Sequence, residues 1–365
     1  MDRRPTRSRP VTVADVARAA QVSKATAARA LGSYGAVSAE VRQRVLAAAR
    51  QLDYRANELA RTMATGRSGT LGVVVGDIEN PFFGLAVRGI SDAGKAAGYD
   101  VILSNSAEDV AEEQAAVEVL TAKGVDGLIV APCERHAGAH LAALLGRGRP
   151  LVLLDREVAG LEVDAALVDG RAAAMAATRL LIEAGHRRIA YVTATAAPDW
   201  HFTAPAHIKL TTVLSRIEGF LEVAVAAGLT EADRQIGLGA TDTRQAQRIL
   251  AEILTASRRP TAILASDSKI ALEVLRAAKA LRLAIPRELS LVAFDDADWT
   301  SAVDPAVTVV AQPTYQLGVT AARMLIERIA GEHGPPRRRV LPAELIERES
   351  VAAPGGIGQP RRGDG

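Results

Sequence analysis

Short apolar runs separated by helical periods are the feature that most constrains this chain. The runs lie, in two sets, at residues 71–75, 100–103, 127–131 and 151–154, and at residues 188–192, 261–264 and 289–294. Runs of Val, Ile and Leu without polar alternation are typical of parallel strands that helices cover on both faces. Two sets of strand–helix units therefore predict an α/β protein with two doubly wound lobes.

The rest of the chain is divided around these lobes. Residues 307–330 have the pattern of a strand followed by a helix, and a last strand is expected near residues 340–346, so that the chain crosses back between the lobes. The expected organisation is a disordered basic arm at 1–10, a helical head at 11–56, a hinge helix and linker at 57–67, a two-lobed body at 70–353 (first lobe 70–168 plus 302–330, second lobe 169–298 plus 332–350) and a disordered tail at 354–365.

Three short helices are predicted in the head. Apolar residues recur at i, i+3, i+4 and i+7 over residues 13–20, with Thr12 placed to cap that helix. Ser23 is a second candidate cap, before residues 24–31, and Ser38 opens a third helix. Three helices of which the first two are joined by a tight turn predict a helix-turn-helix DNA-binding head.

Charge separates the head from the body. Residues 1–67 hold 13 Lys and Arg against 5 Asp and Glu, whereas the remaining residues hold 31 against 37. A basic head on a mildly acidic body indicates that the head, and not the body, meets a polyanion such as DNA.

Several classes of protein are disfavoured by the sequence. No apolar run approaches the ~20 residues that a membrane span needs, and the first residues lack the apolar stretch of a secretory signal. One cysteine, Cys133, excludes an internal disulfide, so we expect a soluble, cytoplasmic protein. Because the sequence lacks dinucleotide-binding, P-loop and nucleophile-elbow motifs, we expect neither an enzyme nor a cofactor.

Eight segments together resemble one family of bacterial transcriptional regulators. They are residues 12–17 and 22–26 in the head, 57–61 in the hinge, and 77–83, 125–129, 185–190, 216–220 and 294–296 in the body. In this order and at these separations they resemble the LacI/GalR family, and the resemblance runs from residue 11 to about residue 353.

The resemblance implies both a fold and a function. The fold is a helix-turn-helix head on a periplasmic-binding-protein-like sensor core. The function is that of a homodimeric repressor that binds a near-palindromic DNA operator, with an affinity set by a small molecule, a sugar or related metabolite, held between the lobes. The alternative is a solute-binding protein of a transport system, which shares the two-lobed body but has no use for the head.

The start of the second helix is the candidate DNA reader. A recognition helix places its N-terminal residues against base edges in the major groove. The Lys24 ammonium is able to donate to guanine, and the Ala25 or Thr26 methyl group to contact a thymine methyl. The assigned DNA-binding residues of the head are Thr12, Ser23, Lys24, Ala25, Thr26 and Arg29.

The hinge adds three candidate DNA-binding residues, and the chain departs from the family once next to the hinge and once in the turn of the head. In the family, paired hinge helices enter the minor groove, and Met63 stands where an apolar residue wedges between base pairs. Asn57 is placed to cap the hinge helix and Arg61 to approach a phosphate. Ala56 replaces the usual Pro, which predicts a hinge ordered mainly on DNA. Gln21 replaces a usual Gly, so the turn needs either a right-handed or a mildly strained left-handed residue there.

Effector contacts are expected where parallel strands end, in the cleft between the lobes. By resemblance, Arg216 and Asp295 match the positions that hold the effector, and Phe82 and Phe83 match those that stack on it. The candidate effector residues are Asp77, Phe82, Phe83, Asp155, Arg156, Trp200, Arg216, Ser266, Asp267 and Asp295.

Two further features are left open or discounted. Residues 194–214 are longer than the corresponding family segment, and a lid, an oligomer contact and a loop without a role are all compatible with it. Cys133, His136 and His140 have a spacing compatible with zinc, but we predict no metal site because a chance placement on a surface helix explains them.

Overall fold

The structure, a computed structural model, describes residues 11–32, 35–54, 67–195, 200–229, 231–232 and 235–355. The chain divides into a head that ends at Gly69 and a body that begins at Thr70. The arm at 1–10, the hinge residues Asn57, Arg61 and Met63, and the tail beyond residue 355 lie outside the described residues.

The head contains the three predicted helices, α1 (Val13–Ala19), α2 (Lys24–Gly32) and α3 (Ala39–Gln51). Two of the predicted caps form: the Ser23 hydroxyl accepts from the backbone N–H of Thr26 at 3.1 Å, and the Ser38 hydroxyl accepts from that of Val41 at 3.4 Å. Small apolar residues fill the space between the helices, which lets them approach closely. Gln21 in the turn takes the left-handed alternative, with φ of 54°.

The first lobe is a six-stranded parallel sheet in the order β11–β5–β4–β3–β1–β2. Its strands are β1 (Thr70–Val75), β2 (Asp100–Asn105), β3 (Gly127–Val130), β4 (Leu151–Leu154), β5 (Asp164–Val168) and β11 (Arg338–Leu341). The helices of this lobe are α4 (Pro81–Ala96), α5 (Val110–Ala122), α6 (Ala139–Gly146) and α11 (Thr314–Ile329). Strands β1, β3 and β4 are buried on both faces, as their unbroken apolar runs predict.

The second lobe repeats this plan in the order β12–β10–β9–β8–β6–β7, with only β12 antiparallel to its neighbour. Its strands are β6 (Ile189–Val192), β7 (Ile236–Gly237), β8 (Ala262–Ala265), β9 (Ser290–Phe294), β10 (Thr308–Ala311) and β12 (Glu344–Ile346). Its helices are α7 (Gly170–Glu183), α8 (Thr211–Ala226), α9 (Thr243–Thr255) and α10 (Ser268–Ala280). No helix among the described residues is long and apolar enough to cross a membrane.

The lobe assignment of the last segments is corrected by the pairing of the strands. The sequence predicts residues 302–330 in the first lobe, but β10 pairs with β9 in the second sheet, and only α11 packs on the first. The single strand expected near 340–346 is two strands on either side of Pro342, the first of which pairs with β5 in the first sheet. Four-residue apolar runs fit either sheet equally well, so their composition carries no information about which lobe they join.

Helices α4 and α11 pack closely because glycines stand at their contact. A Cβ atom at Gly89 would clash with the carbonyl oxygen of Tyr315, and one at Gly318 would clash with that of Ala86. Gly84 lies on the same helix as Gly89, but a Cβ atom there would meet nothing within 4 Å. Gly84 and Gly89 therefore differ in what surrounds them, although both are helical.

We expect Gly89→Ala to lower the free energy of unfolding by about 1–3 kcal/mol, because the added methyl overpacks the contact between α4 and α11. The matched change Gly84→Ala is expected to raise it by about 0.5–1 kcal/mol, because alanine has the higher helix propensity. Urea unfolding of both variants measures the difference. Equal effects of the two substitutions would contradict the close helix contact.

Candidate functional site

The predicted DNA-reading side chains lie on the exposed side of α2. Ser23, Lys24, Ala25 and Arg29 are exposed, and Thr26 is partly buried. On the opposite side of the helix, Ala27 and Ala30 are buried in the core of the head. The helix thus presents a basic, polar surface of the width that a major groove accepts.

The backbone and the side chain of Thr12 both donate hydrogen bonds to Asp15 within the head. The carboxylate of Asp15 accepts from the Thr12 backbone N–H at 2.9 Å and from its hydroxyl at 2.7 Å. These contacts fix the start of α1 through residue 15, as in a capping box. The hydroxyl of Ser23 lies 2.8 Å from that of Thr26, so these two side chains also order the start of α2.

The body contains a cleft of about 500 Å³ between the lobes. It opens at the carboxyl ends of the parallel strands, next to the points where strand order reverses at β1/β3 and β6/β8, which is where open α/β sheets bind ligands. The structure brings nine of the ten predicted effector residues together here: Asp77, Phe82, Phe83, Asp155, Arg156, Arg216, Ser266, Asp267 and Asp295.

Two carboxylates enter the cleft from corresponding positions in the two lobes. Asp155 directly follows β4, and Asp295 directly follows β9. Both have left-handed backbones, with φ of 64° and 71°, a conformation that costs free energy for a residue other than glycine. Such strain is tolerated where it points a side chain into a functional site, and here it points two.

Arg216 is the cation deep in the second lobe's side of the cleft. Its guanidinium lies over the Phe294 ring at 4.1 Å from the ring centroid and donates to the carbonyl oxygen of Ser266 at 2.9 Å and to the side chain of Gln312 at 3.0 Å. Gln312 in turn donates to Asp295 at 2.6 Å. Arg216 and Gln312 thus position Asp295 through a continuous set of hydrogen bonds.

Burial shapes the charges of this group. Desolvation raises the pKa of Asp295 to about 6, although the positive charge of Arg216 opposes the change. The pKa values of Asp155 and Asp267 are also raised, in both cases chiefly by desolvation. Three carboxylates around one guanidinium therefore hold their negative charge at a cost in stability.

Arg156 is held on the first lobe's side by a residue that the sequence did not single out. Glu108 accepts from its two terminal nitrogens at 2.6 Å and 2.8 Å, and the guanidinium also lies 5.4 Å from the centroid of the Phe83 ring. Glu108 belongs to the loop after β2, so the strand-end signal that found Asp155 points to it as well. Gln312, which directly follows β10, carries the same signal.

Trp200 is the predicted effector residue that does not line the cleft. Its ring stacks on His201, with 3.7 Å between centroids, and packs against the apolar core of the second lobe near Gly237. Aromatic residues make up only 3% of the chain, and the position of Trp200 beside the motifs that border the cleft predicted a contact with the effector. An indole ring more often packs against apolar neighbours than against a ligand, and Trp200 does so here.

Residues 205–211 contact the first lobe, which places part of the unassigned 194–214 segment at the edge of the cleft. The ammonium of Lys209 lies 3.2 Å from the Glu134 carboxylate, and its carbonyl oxygen accepts from the backbone N–H of Arg135 at 2.8 Å. On the other side of the cleft, Lys269 lies 3.1 Å from Asp77. Both edges of the cleft are thus bridged by ion pairs between the lobes.

The residues with zinc-like spacing have other surroundings in the structure. Cys133 is buried and its thiol lies 3.1 Å from the Ser106 hydroxyl, while burial raises its pKa to about 12. His140 contacts the buried Glu113 carboxylate at 2.7 Å, and His136 is exposed. Among the described residues, no group of three His, Cys, Asp or Glu side chains is arranged to hold a metal ion.

We expect Asp295→Asn to raise the melting temperature at pH 7.5 by about 2–4 °C, because the neutral amide avoids the cost of a desolvated charge. A carboxyl whose pKa is higher in the folded protein destabilises it increasingly as pH rises through about 6. The gain should therefore shrink as the pH falls from about 6 and disappear below the ordinary pKa of 3.8, where the wild-type carboxyl is protonated in the folded and in the unfolded chain. Thermal melts across this range measure the difference, and a gain that is independent of pH would contradict the assigned cause.

Both the head and the body are similar to known proteins. Residues 12–57 match the family model of bacterial regulatory proteins of the lacI family, and residues 178–351 match that of a periplasmic binding protein-like domain. The ribose operon repressor of Halalkalibacterium halodurans is 31% identical over 348 residues, which cover 93% of this chain and 97% of that protein.

Two solved structures are similar over 94% of this chain and all of theirs. The complex of the transcriptional regulator CelR with cellobiose is 27% identical, with a TM-score of 0.68. The lac repressor dimer bound to operator and the anti-inducer ONPF is 23% identical, with a TM-score of 0.81, which shows the fold. Head and body thus match the same kind of protein along almost their whole length.

Proposed function

Because the chain belongs to the LacI family of bacterial transcriptional regulators, we propose that it is a repressor whose affinity for a near-palindromic operator is set by a sugar bound in the cleft. It is a regulator, not an enzyme. Residues 11–56 read the operator, residues 57–67 form the hinge, and residues 70–353 bind the sugar and a second copy of the chain. The named relatives support this proposal, since one is a ribose operon repressor and another is bound to cellobiose.

The observation that carries the proposal is the composition of the cleft. Carboxylates, guanidinium groups and an aromatic pair converge from both lobes on one cavity. Sugars need acceptors and donors for several hydroxyl groups and an apolar surface for the faces of the ring. Asp155 and Asp295 supply the acceptors, and Phe82 and Phe83 the apolar surface.

The head supports the DNA part of the proposal. Lys24 and Arg29 are exposed on α2, with the Ala25 methyl between them along the helix. One such helix reads few base pairs, so a dimer on two half-sites supplies the specificity that one head lacks. The hinge contacts of Asn57, Arg61 and Met63 remain proposals from the sequence.

Exposed apolar side chains on the first lobe support the homodimer. Leu85 on α4, Leu103 on β2 and Val119 on α5 are each exposed by 44–53%. Strand β2 is the edge of its sheet, and both helices pack on it. Large apolar side chains around an unpaired sheet edge are typical of a surface that another chain covers.

The proposed coupling is an equilibrium between two arrangements of the lobes. A sugar that contacts Asp155 from one lobe and Asp295 from the other binds one arrangement better, and so shifts the equilibrium toward it. A coupling free energy of ~1–3 kcal/mol corresponds to ~5–150-fold control of operator affinity.

Selection of bound sequences from random duplex DNA tests the DNA part of the proposal. We expect enrichment of a near-palindrome at moderate salt, and a loss of affinity when either half-site is scrambled. Retention that does not discriminate between sequences would contradict it.

A further inference from the structure

We infer that the cleft selects its effector by charge: it accepts a neutral or cationic polyhydroxyl compound and excludes the phosphorylated and carboxylate forms of the same sugar. This inference rests on the proposed function, because it names the class of sugar that the cleft takes. It follows from the hydrogen bonds that the cleft residues already make and from the signs of their charges.

The terminal nitrogens of the deep cations, Arg156 and Arg216, already have partners within the protein, whereas the Nε–H of each is buried without one. Both terminal nitrogens of Arg216 donate internally, one to the Ser266 carbonyl and the other to Gln312. Both terminal nitrogens of Arg156 donate to the Glu108 carboxylate, in the paired geometry that an anionic ligand would otherwise receive. A phosphate or carboxylate that takes both terminal nitrogens of either guanidinium therefore competes with contacts that are already made.

Two acceptors of the cleft, Asp155 and Asp295, each have a carboxylate oxygen without a donor. Asp155 is 7% exposed, and its Oδ1 is buried without a hydrogen-bond partner. Gln312 donates to one oxygen of Asp295, and no donor among the described residues reaches the other. The buried Oδ1 of Asp155 without a donor costs about 1–3 kcal/mol, which a hydroxyl or ammonium group of a ligand recovers.

The charges around the cleft also disfavour an anionic ligand. Its lining contains six acidic and four basic side chains. The two lysines among the basic residues, Lys209 and Lys269, lie at the edges and are paired with Glu134 and Asp77. The centre thus holds Asp155, Asp267 and Asp295 around Arg216, so that a ligand anion placed among them meets more carboxylates than cations.

The alternative hypothesis is that an anionic ligand binds to the lysines at the edge of the cleft. Lys209 and Lys269 are exposed, and a phosphate that bound them would compete with the carboxylates that pair with them. If this binding occurred, a sugar phosphate would bind better than its parent sugar. The two readings therefore predict opposite orders of affinity.

Matched ligands distinguish them on the full-length protein. The panel consists of D-ribose with ribose 5-phosphate, and D-glucose with glucosamine, gluconate and glucose 6-phosphate, followed by thermal shift and calorimetry. We expect the neutral or amino member of one series to stabilise the protein, and its anionic counterpart to bind at least ~100-fold more weakly. An anionic member that binds better than its parent would overturn the inference and leave the sugar effector standing. Binding by no member would overturn the proposed sugar effector itself, and this inference with it.

Asparagine variants test which side chains impose the selection. Asp155→Asn and Asp295→Asn are expected to weaken the neutral ligand by ~10-fold or more and to narrow the difference between neutral and anionic members. The two positions are tested separately, so that a folding defect in one variant does not decide the result. Glu222→Gln removes the same charge from the exposed side of α8, where Glu222 pairs with Arg171, and should leave the order of affinities unchanged. An unchanged difference in both cleft variants would contradict the assignment.

Discussion

Replacing Arg216 with methionine is expected to lower the free energy of unfolding by about 3–5 kcal/mol at neutral pH, the usual cost of removing one partner from a buried group of charges. The side chain is 9% exposed and donates to Ser266 and Gln312. Its charge also lowers the pKa values of Asp155, Asp267 and Asp295, which desolvation raises. Without it, the three carboxylates lose this compensation at once.

The pH dependence of this loss identifies its cause. In the variant the folded-state pKa values of the three carboxyls rise further above their unfolded values, so the loss should be greatest above pH 7 and should shrink as the pH falls to 5. Arg171→Met removes an equally long cation from an exposed ion pair with Glu222, and little change is expected. Denaturant unfolding at several pH values measures both variants. A loss in Arg216→Met that does not vary with pH would mean that packing on Phe294, and not charge, is what the arginine supplies.

Replacing Lys24 with alanine is expected to weaken binding to the selected operator by about 10–100-fold, because a lost contact to a base edge costs ~1–3 kcal/mol. Binding to unrelated DNA should fall much less, since phosphate contacts supply most of it. Base preference at one position of each half-site should relax. Fluorescence anisotropy with operator and scrambled duplexes at fixed salt measures the ratio.

Arg50→Ala is the matched control for the head. Arg50 is also an exposed cation, but it lies in the last turn of α3 and not on the recognition helix. Its loss should change specific and non-specific binding by the same small factor. If Lys24→Ala reduced both kinds of binding equally, Lys24 would be a phosphate contact, and base reading would lie elsewhere on α2.

The cleft was largely predictable from the sequence because of one physical rule. Parallel strands in a covered sheet are apolar, so the first polar residues after them mark the edge where ligands bind. This rule located Asp77, Asp155, Asp267 and Asp295, which the structure brings to one cavity. The helices of the head were equally predictable, because serine caps mark the starts of α2 and α3.

What the sequence did not predict depends on contacts between distant segments. Glu108 and Arg156 are 48 residues apart, and Arg216 and Gln312 are 96 apart, so no local pattern joins either pair. Gln312 directly follows β10, so the rule of strand ends points to it, but β10 was assigned to the wrong lobe and its end was not considered. Trp200 was assigned to the cleft because its neighbours in sequence border the cleft, but its ring packs on the core of the second lobe.

Operator affinity measured with and without a sugar that stabilises the protein tests the central claim most directly. For the wild type we predict a change of ~5-fold or more at saturating sugar. For Asp295→Asn we predict wild-type affinity for the operator without sugar and little response at the same sugar concentration. A sugar that binds in the cleft, and loses affinity in the variant, yet leaves the operator affinity of the wild type unchanged would contradict the account.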